Sequence, residues 1–299
     1  MTTQQPGESE LATRMLRERV NTVFRHLPGA LAGNEEKLHQ MRIAARRLRV
    51  ALPLLARRHG GRRVRRALRA LRDLTRTPGS SRDLDVMCAL AEARWRHLGT
   101  PSPQGTVLRR RLLAARSRSR RQMAEALLDL EIARLRRDLR ASMRRGGELL
   151  FTVLLRVRDA RDQEGQRVVD ALKRLGETFD SEALHRVRIR ARRLRYTAEL
   201  QDLIKNSPSE AARQWKDLQE RLGLVRDHDV LSKWFARQAL RSAQPGQELL
   251  RSEAESLAAW FGEESRRHHR ELLAARPVEI VQRALEEMGQ GRSEFRAGA

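Results

Sequence analysis

Apolar residues recur every three or four positions along most of the chain, which is the spacing of an amphipathic α-helix. Strand-favouring residues are sparse, and aromatic residues make up only 4% of the sequence. Leu, Ala, Arg and Glu dominate instead, and these residues favour helices. The pattern therefore predicts an all-α protein with essentially no sheet.

Breaks in the apolar pattern divide this helical sequence into elements. The first helix is predicted to end near residues 28–29, and Asn34 is positioned to cap a second helix that runs to about residue 58. Further helices are predicted over about 62–76, from 82 to near 99, from about 103 to 145, over 149–155, over 166–175, from a cap at Ser181 to about 205, over 210–221, from 226 to about 242, from about 247 onward, and from Pro277. Residues 77–81 and 223–225 are predicted to be turns.

The helix around residues 38–49 has a second copy at residues 184–195. Both copies keep Leu, His, Arg, Ile, Ala, Arg, Arg, Leu and Arg at the same places without a gap. Two later segments also repeat, because 69–74 matches 213–218 and 79–86 matches 223–230. We interpret this as an internal duplication with its boundary at Gly146–Gly147. It predicts helical halves 8–145 and 146–290 within one domain, 8–290, related by a pseudo-twofold axis.

Each copy places a His and three Arg residues in one narrow sector of its helix. These residues are His39, Arg42, Arg46 and Arg49 in the first copy and His185, Arg188, Arg192 and Arg195 in the second. A charge run is ordinarily a solvated face, but solvation alone does not require a His at the same place twice. The repeated stripe therefore favours anion binding. Arg47 and Arg193 recur too, although they point away from the stripe and are the weakest candidates within it.

The third predicted helix carries a second basic ladder. Arg62, Arg65, Arg69, Arg72 and Arg76 are spaced by three and four, so they share one face and repel one another. In the second half only Arg213 and Lys216 correspond to members of this ladder, namely to Arg69 and Arg72. These four repeated residues are therefore the strongest binding candidates of the ladder. Clusters at 109–121 and 266–270 either extend the basic surface or are solvated faces.

Composition and charge restrict the ligands. The net charge is +24 and the pI is near 11.6, so the chain should attract polyanions: nucleic acid, an anionic membrane surface or inorganic polyphosphate. Arg supplies nearly all the positive charge, which suits phosphate oxygens, although a GC-rich genome would have the same effect. The single Cys88 lies in an apolar run and favours a packed thiol in a reducing compartment. No leader or membrane span is evident, which predicts a cytoplasmic protein.

An Arg-Asp-x-Asp element occurs in both halves, at residues 82–85 and 226–229. Asp pairs bind Mg²⁺ or Ca²⁺ in some proteins. Both copies follow a predicted turn, however, where carboxylates cap a helix and pair with neighbouring Arg side chains, and we favour that interpretation. No zinc-like spacing, P-loop or nucleophile motif appears elsewhere.

The paired His-Arg helices, the second followed by Tyr196 and Glu199, and the two Gly-x-x-Arg-Asp-x-Asp-Val elements resemble the CHAD domains, α-helical domains named for conserved histidines. The resemblance covers about residues 8–290. It implies two four-helix-bundle-like halves whose basic face between the bundles binds polyphosphate, with targeting to polyphosphate granules. Carried over by position, the binding residues would be His39, Arg42, Arg46, Arg49, Arg69, Arg72, His185, Arg188, Arg192, Arg195, Arg213 and Lys216. Val50 stands where the second copy has Tyr196, so the halves need not contribute equally.

The sequence therefore predicts a cytoplasmic polyphosphate-binding protein on granules, with no enzymatic activity, cofactor or metal. The strand pattern of the triphosphate-tunnel domain often fused to CHAD domains is missing, which removes the main reason to expect catalysis. Two alternatives stay open. One is a nucleic-acid-binding protein, which the charge favours and the shortage of stacking aromatics disfavours. The other is a metal-dependent phosphohydrolase that uses the Asp pairs and His.

Overall fold

The computed structural model describes residues 8–56, 60–76, 79–99, 101–143 and 150–290. Within these ranges the chain forms eleven α-helices and no strand, so the predicted all-α class is confirmed. In chain order the helices are α1 (Glu8–Leu31), α2 (Glu35–Leu55), α3 (Arg62–Arg76), α4 (Gly79–Leu98), α5 (Pro103–Leu128), α6 (Ile132–Met143), α7 (Leu150–Lys173), α8 (Ser181–Lys205), α9 (Glu210–Arg241), α10 (Glu248–Ala274) and α11 (Pro277–Gln290). None of the helices described is long and apolar enough to cross a membrane.

Several helix ends follow directly from local chemistry. Asn34 caps α2 as predicted, because its Oδ1 accepts a 2.9 Å hydrogen bond from the backbone N–H of Lys37. Pro277 begins α11, where its missing N–H costs nothing. The predicted cap at Ser181 is wrong. Asp180 caps α8 instead, accepting from the N–H groups of Glu182 and Ala183 at 2.9 and 3.0 Å, which lowers the pKa of the Asp180 carboxyl.

Two predicted breaks are absent because packing overrides local propensity. α1 continues through Pro28 to Leu31, with the N–H of Ala32 bonded to the Pro28 carbonyl at 3.0 Å. α9 runs unbroken through residues 223–225, since Leu222 and Val225 are buried on the same stripe that the rest of the helix buries. The predicted segments 149–155 and 166–175 likewise lie on one helix, α7.

Contacts divide the chain into two compact units that are not continuous in sequence. Unit 1 comprises residues up to 82, 119–161 and 199–207, and unit 2 comprises 83–118, 162–198 and the residues from 208 onward. Helices α5, α7 and α8 each contribute residues to both units. The predicted halves, 8–145 and 146–290, group residues by sequence repeat and not by contact, so they stay a prediction. Their boundary at 146–147 lies outside the described residues.

Unit 1 has one hydrophobic core, built where α1 packs on α2, α2 on α3 and α3 on α6. Fully buried members include Val23, Leu48 and Leu71, with Leu200 and Ile204 supplied by the end of α8. α2 buries a wide face, because Ala44 and Ala51 are covered as well as Met41 and Leu52. The basic stripe of α2 therefore adjoins the core and is not opposite it.

Unit 2 has two cores. One joins α7, α8, α11 and the first half of α9 around Trp215 and Leu194. The other joins α4, α5, α10 and the second half of α9 around Phe235 and Phe261, whose rings stack with centroids 5.7 Å apart. The long helix α9 contributes residues to both cores, the first half to one and the second half to the other.

Candidate functional site

The first basic stripe lies on α2 in unit 1. His39, Arg46 and Arg49 are half-buried, whereas Arg42 is only 5% exposed because it borders the core face. Nη1 of Arg49 donates to the Thr75 hydroxyl of α3 at 3.2 Å. This bond connects the stripe of α2 to the helix that carries the Arg ladder.

The ladder on α3 faces away from the core of unit 1. Arg62, Arg65, Arg69, Arg72 and Arg76 are all exposed, and they lie opposite the buried Val64, Ala67, Leu71 and Leu74. Among the described residues no carboxylate lies within ion-pairing distance of Arg69 or Arg72. The predicted ladder is therefore present as an open row of cations.

Arg66 differs from the ladder because it lies on the flank of α3 and pairs with α6. Its Nε and Nη2 donate to the two carboxylate oxygens of Asp138 at 2.9 and 2.7 Å. The pair lines a pocket of about 210 Å³ together with Arg69 and Arg134. These hydrogen bonds hold the pKa of Asp138 below its usual range.

The second basic stripe lies on α8 in unit 2. His185 is exposed, Arg188, Arg192 and Arg195 are half-buried, and the guanidinium of Arg195 lies 5.1 Å from the ring centroid of Tyr196. Partial burial lowers the pKa of His185, and the charges of Arg226, Arg188 and Arg192 lower it further. The ring is therefore neutral at pH 7 and surrounded by cations.

Arg226 of α9 is absent from the binding set predicted from the sequence, although it lies close to the stripe of α8. Its Nη1 and Nη2 donate to the two carboxylate oxygens of Asp83 at 3.0 and 2.6 Å, and Nη1 also lies 3.3 Å from Asp227. Burial raises the pKa of Asp227 although Arg188 and Arg226 oppose that shift. Arg226 thus stands beside the stripe of α8. In the sequence, the available signal was that an Arg occupies the same place in both repeats, as Arg82 and Arg226.

The predicted helix-capping role of the Asp pairs is wrong, because Asp227 and Asp229 lie in the middle of α9 and Asp83 and Asp85 lie inside α4. The predicted pairing with cations is observed instead. Asp229 accepts from Lys233 and from the Ser181 hydroxyl at 2.8 and 2.6 Å. Asp85 accepts from Arg116 at 2.7 Å. The side chain of Arg82 lies outside the described residues.

A pocket of about 420 Å³ opens between the start of α8 and the middle of α9. Arg186, Arg226 and Lys233 provide its cationic wall, and His185, Glu182 and Asp229 are also part of the lining. The floor is apolar, formed by Phe179, Leu184, Val225 and Val230. An anionic group held at this wall would meet donors from two helices.

Many other basic residues are neutralised locally. Arg213 pairs with Glu210 at 2.9 Å and Lys216 lies 3.6 Å from Glu220, so this pair has partners that Arg69 and Arg72 lack. Arg47 donates to Glu199 at 2.9 Å, and Arg193 lies 3.5 Å from Glu164. In the clusters at 109–121 and 266–270, the Arg pairs include Arg109 with Glu92, Arg116 with Asp85, Arg120 with Glu35, Arg266 with Glu263, Arg267 with Glu264 and Glu271, and Arg270 with Glu263.

The fold and these surfaces define an all-helical protein whose surface carries rows of Arg and His. The CHAD domain family model matches residues 14–236, and the chain therefore belongs to the CHAD domain family. No curated protein matches it.

Two solved structures resemble its fold. The CHAD domain from the plant Ricinus communis is 22% identical, with a TM-score of 0.63 over 93% of this chain and 91% of that one. PptA from Streptomyces chartreusis is 15% identical, with a TM-score of 0.64 over 96% of this chain and all of that one.

Proposed function

We propose that this protein binds inorganic polyphosphate through its Arg and His surfaces, without catalysing a reaction, and that binding places it on polyphosphate granules. The observation that carries the proposal is the open row of cations on α3. A helix with seven Arg and one Asp is destabilised by its own charge unless an anion neutralises it. A chain of closely spaced phosphates supplies one negative charge for each Arg that it meets.

The contrast with α10 supports a ligand role for this row. α10 has four Arg and six Glu residues, and its exposed Arg side chains pair with neighbouring carboxylates. On α3 the single carboxylate, Asp73, forms no ion pair with Arg69 or Arg72 within the part of the chain that the structure describes. An Arg-rich composition alone, as from a GC-rich genome, gives no reason for this difference between two helices of one protein.

In unit 2 the stripe of α8 and Arg226 extend the proposal. His185, Arg188 and Arg192 act on one another electrostatically, and Arg226 adds a donor that Asp83 holds in position. Guanidinium groups bind phosphate oxygens in a bidentate manner, and a carboxylate behind them fixes their orientation. A phosphate bound there would also raise the pKa of His185, since it would offset the surrounding positive charge.

Direct titration tests the proposal. Long-chain polyphosphate is titrated calorimetrically into the wild type and into Arg69→Gln/Arg72→Gln at several salt concentrations. Each lost phosphate contact should reduce the slope of log K against log salt by about 0.7, the value for single-stranded polyanions. Between about 50 and 200 mM salt the wild type should therefore lose about sevenfold more affinity than the double variant.

A charge-matched control separates this row from net charge. Arg251→Gln/Arg276→Gln removes two exposed cations that pair with Glu255 and Glu279, carboxylates four and three residues further along the chain. It should leave the salt slope unchanged. Equal effects of the two double variants would mean that polyphosphate responds only to the overall charge, which contradicts a defined binding row.

The two stripes have their own test. Arg46→Ala/Arg192→Ala removes one cation from each copy, and hydrogen bonds to charged groups contribute about 1.5 to 3 kcal/mol each. We expect at least a tenfold loss of polyphosphate affinity with an unchanged circular dichroism spectrum. Unchanged affinity in a folded variant would remove the stripes from the binding surface.

Nucleic acid is the competing polyanion, and the low aromatic content disfavours it because single strands bind largely by stacking on aromatic rings. Competition at equal phosphate concentration and equal salt decides between them. Polyphosphate should displace single-stranded RNA or DNA, and the reverse order of displacement would favour a nucleic-acid-binding function.

Hydrolysis is a second rival. A phosphohydrolase would need the Asp pairs for a metal ion, whereas Asp83, Asp85 and Asp229 each accept hydrogen bonds from basic side chains. We expect no orthophosphate release from polyphosphate with Mg²⁺ or Mn²⁺. Release that Asp83→Ala or Asp227→Ala abolished would establish the enzyme instead.

A further inference from the structure

A cluster of two histidines and a glutamate joins α9 to α10 in unit 2. One ring nitrogen each of His228 and His268 and a carboxylate oxygen of Glu264 all lie within 4.8 Å of one another. The two imidazole centroids are 4.9 Å apart. His228 is 6% exposed, and His268 and Glu264 are half-buried at its outer side, so the cluster is reached from solvent through them.

Hydrogen bonds orient both rings in the manner of metal ligands. Nδ1 of His228 lies 2.9 Å from the Leu224 carbonyl oxygen, and Nδ1 of His268 lies 3.0 Å from Glu271 Oε2. Both acceptors require Nδ1–H, which leaves Nε2 with its lone pair on each ring. Histidines that bind metal ions typically donate their other N–H to a carbonyl or carboxylate in this way, since that bond fixes the tautomer and the ring orientation.

The types of ligand suit a cation. Two imidazole nitrogens and a carboxylate oxygen are the three-ligand set of many zinc sites, in which water or another ligand occupies the fourth position. The cluster offers this set from His228, His268 and Glu264.

The scaffold around the cluster is rigid. The Ser265 hydroxyl donates to the Val225 carbonyl at 2.8 Å, and the Ser232 hydroxyl donates to the Ala258 carbonyl at 2.7 Å, so bonds fasten α9 to α10 along their length. Metal–ligand distances of about 2.0 to 2.2 Å put ligand atoms about 3.3 to 3.5 Å apart in a tetrahedron. Because the ligand atoms lie within 4.8 Å of one another, closing the cluster requires each pair to approach by at most about 1.5 Å.

From this geometry we propose that His228, Glu264 and His268 form a binding site for Zn²⁺ or a similar first-row divalent cation. It is separate from polyphosphate binding, and two of its three ligands lie beyond residues 14–236, the part of the chain that the family model matches. The sequence predicts no metal, and the metal-dependent alternative that it leaves open uses the Asp pairs and His. His228 and the 264–268 segment are too far apart in sequence for spacing to connect them.

One charge opposes the cation. Arg267 holds Glu264 through Nε and Nη2 at 3.2 and 2.5 Å, and its Nη1 also donates to Glu271 at 2.9 Å. Binding requires Arg267 to release Glu264 while it keeps Glu271. Arg267 is therefore a competitor of the metal, and its removal should strengthen binding, the opposite of what loss of a ligand does.

The test titrates Zn²⁺ into chelator-treated, untagged full chain against a chromogenic chelator, in the absence of polyphosphate. Wild type should take up one equivalent, and Co²⁺ should give the visible absorption of a low-coordinate site. His268→Gln and Glu264→Gln should lose more than the roughly 10- to 100-fold typical of an outer-shell change, and Glu271→Gln should lose about tenfold. Arg267→Gln should bind more tightly.

His97→Gln is the matched control, because His97 is exposed on α4 of the same unit and belongs to no such cluster. It should bind like the wild type. Circular dichroism checks that each variant is folded. The proposal is overturned if the wild type takes up no Zn²⁺, or if folded His268→Gln and Glu264→Gln bind it as well as His97→Gln does.

Discussion

Removing Arg69 and Arg72 should make the protein more stable while it binds polyphosphate less well. On α3 these two side chains form four like-charge pairs at spacings of three and four: Arg69 with Arg65, Arg66 and Arg72, and Arg72 with Arg76. Asp138 neutralises Arg66, which leaves three pairs that repel. Each such pair costs about 0.2 to 0.5 kcal/mol, and Asp73, four residues after Arg69, offsets part of that cost. Gln keeps nearly the same helix propensity as Arg. Arg69→Gln/Arg72→Gln should therefore gain about 0.5 to 1 kcal/mol in the free energy of unfolding at low salt.

Urea unfolding followed by circular dichroism at 222 nm measures this gain. It should be largest in about 20 mM salt and should disappear in about 1 M salt, where the screening length falls to about 3 Å. Saturating polyphosphate should reverse the order of the two proteins, because the wild type gains more from a ligand that it binds more tightly.

Two results would refute the reasoning. A loss of stability at low salt would mean that Arg69 and Arg72 make favourable contacts within the protein. A gain that persists unchanged in 1 M salt would mean that its cause is not repulsion between charges. Arg251→Gln/Arg276→Gln serves as the control, and it should be neutral or slightly destabilised because those residues lose ion pairs.

Three further predictions concern pH and packing. Hydrogen bonds from Arg66 are the main cause of the lowered pKa of Asp138, and this shift stabilises the folded protein. The contribution is complete above the unfolded pKa of about 3.9 and is lost as pH falls toward the folded value. In an acid titration, Asp138→Asn should therefore lose less free energy of unfolding than the wild type below about pH 4. Polyphosphate affinity should rise as His185 gains a proton, and the rise should begin below pH 6.5 because the pKa of His185 is lowered. Calorimetry at a series of pH values should show a smaller rise for His185→Gln. Gly165→Ala should lower the free energy of unfolding by about 1 kcal/mol, because a Cβ there would lie 2.6 Å from the Leu285 methyl groups. In a Leu285→Ala background the same substitution should raise the free energy of unfolding, since only its better helix propensity remains.

The helical class was predictable because apolar spacing and composition act locally and point in the same direction at nearly every element. Asn34 is an example, since a side chain that caps the next few N–H groups needs no distant partner. Gly223 shows the limit. Its local propensity indicates a break, yet α9 continues because buried residues on both sides of it belong to one continuous stripe. That outcome depends on the helices packed against the stripe.

The candidate site also has some parts that the sequence predicts and others that it does not. The exposed ladder of α3 follows from helical spacing alone, so the sequence was sufficient to predict that face. The role of Arg226 was not predictable, because its partner Asp83 is distant in sequence and local reasoning assigned both residues to helix ends. The cluster of His228, Glu264 and His268 was even less predictable, since its members come together only once α9 and α10 pair.

The interleaved path of the chain through the two units affects how the protein can be made and dissected. Leu200 and Ile204 belong to the core of unit 1 although they follow residue 198 of unit 2, and α7 supplies Val153 and Val157 to the same core. A ribosome has therefore synthesised about two thirds of the chain before the first core has all its residues. A fragment that stops at the repeat boundary near residue 146 would lack these four apolar side chains, so separate expression of the two halves would test an incomplete core and not an ancestral module.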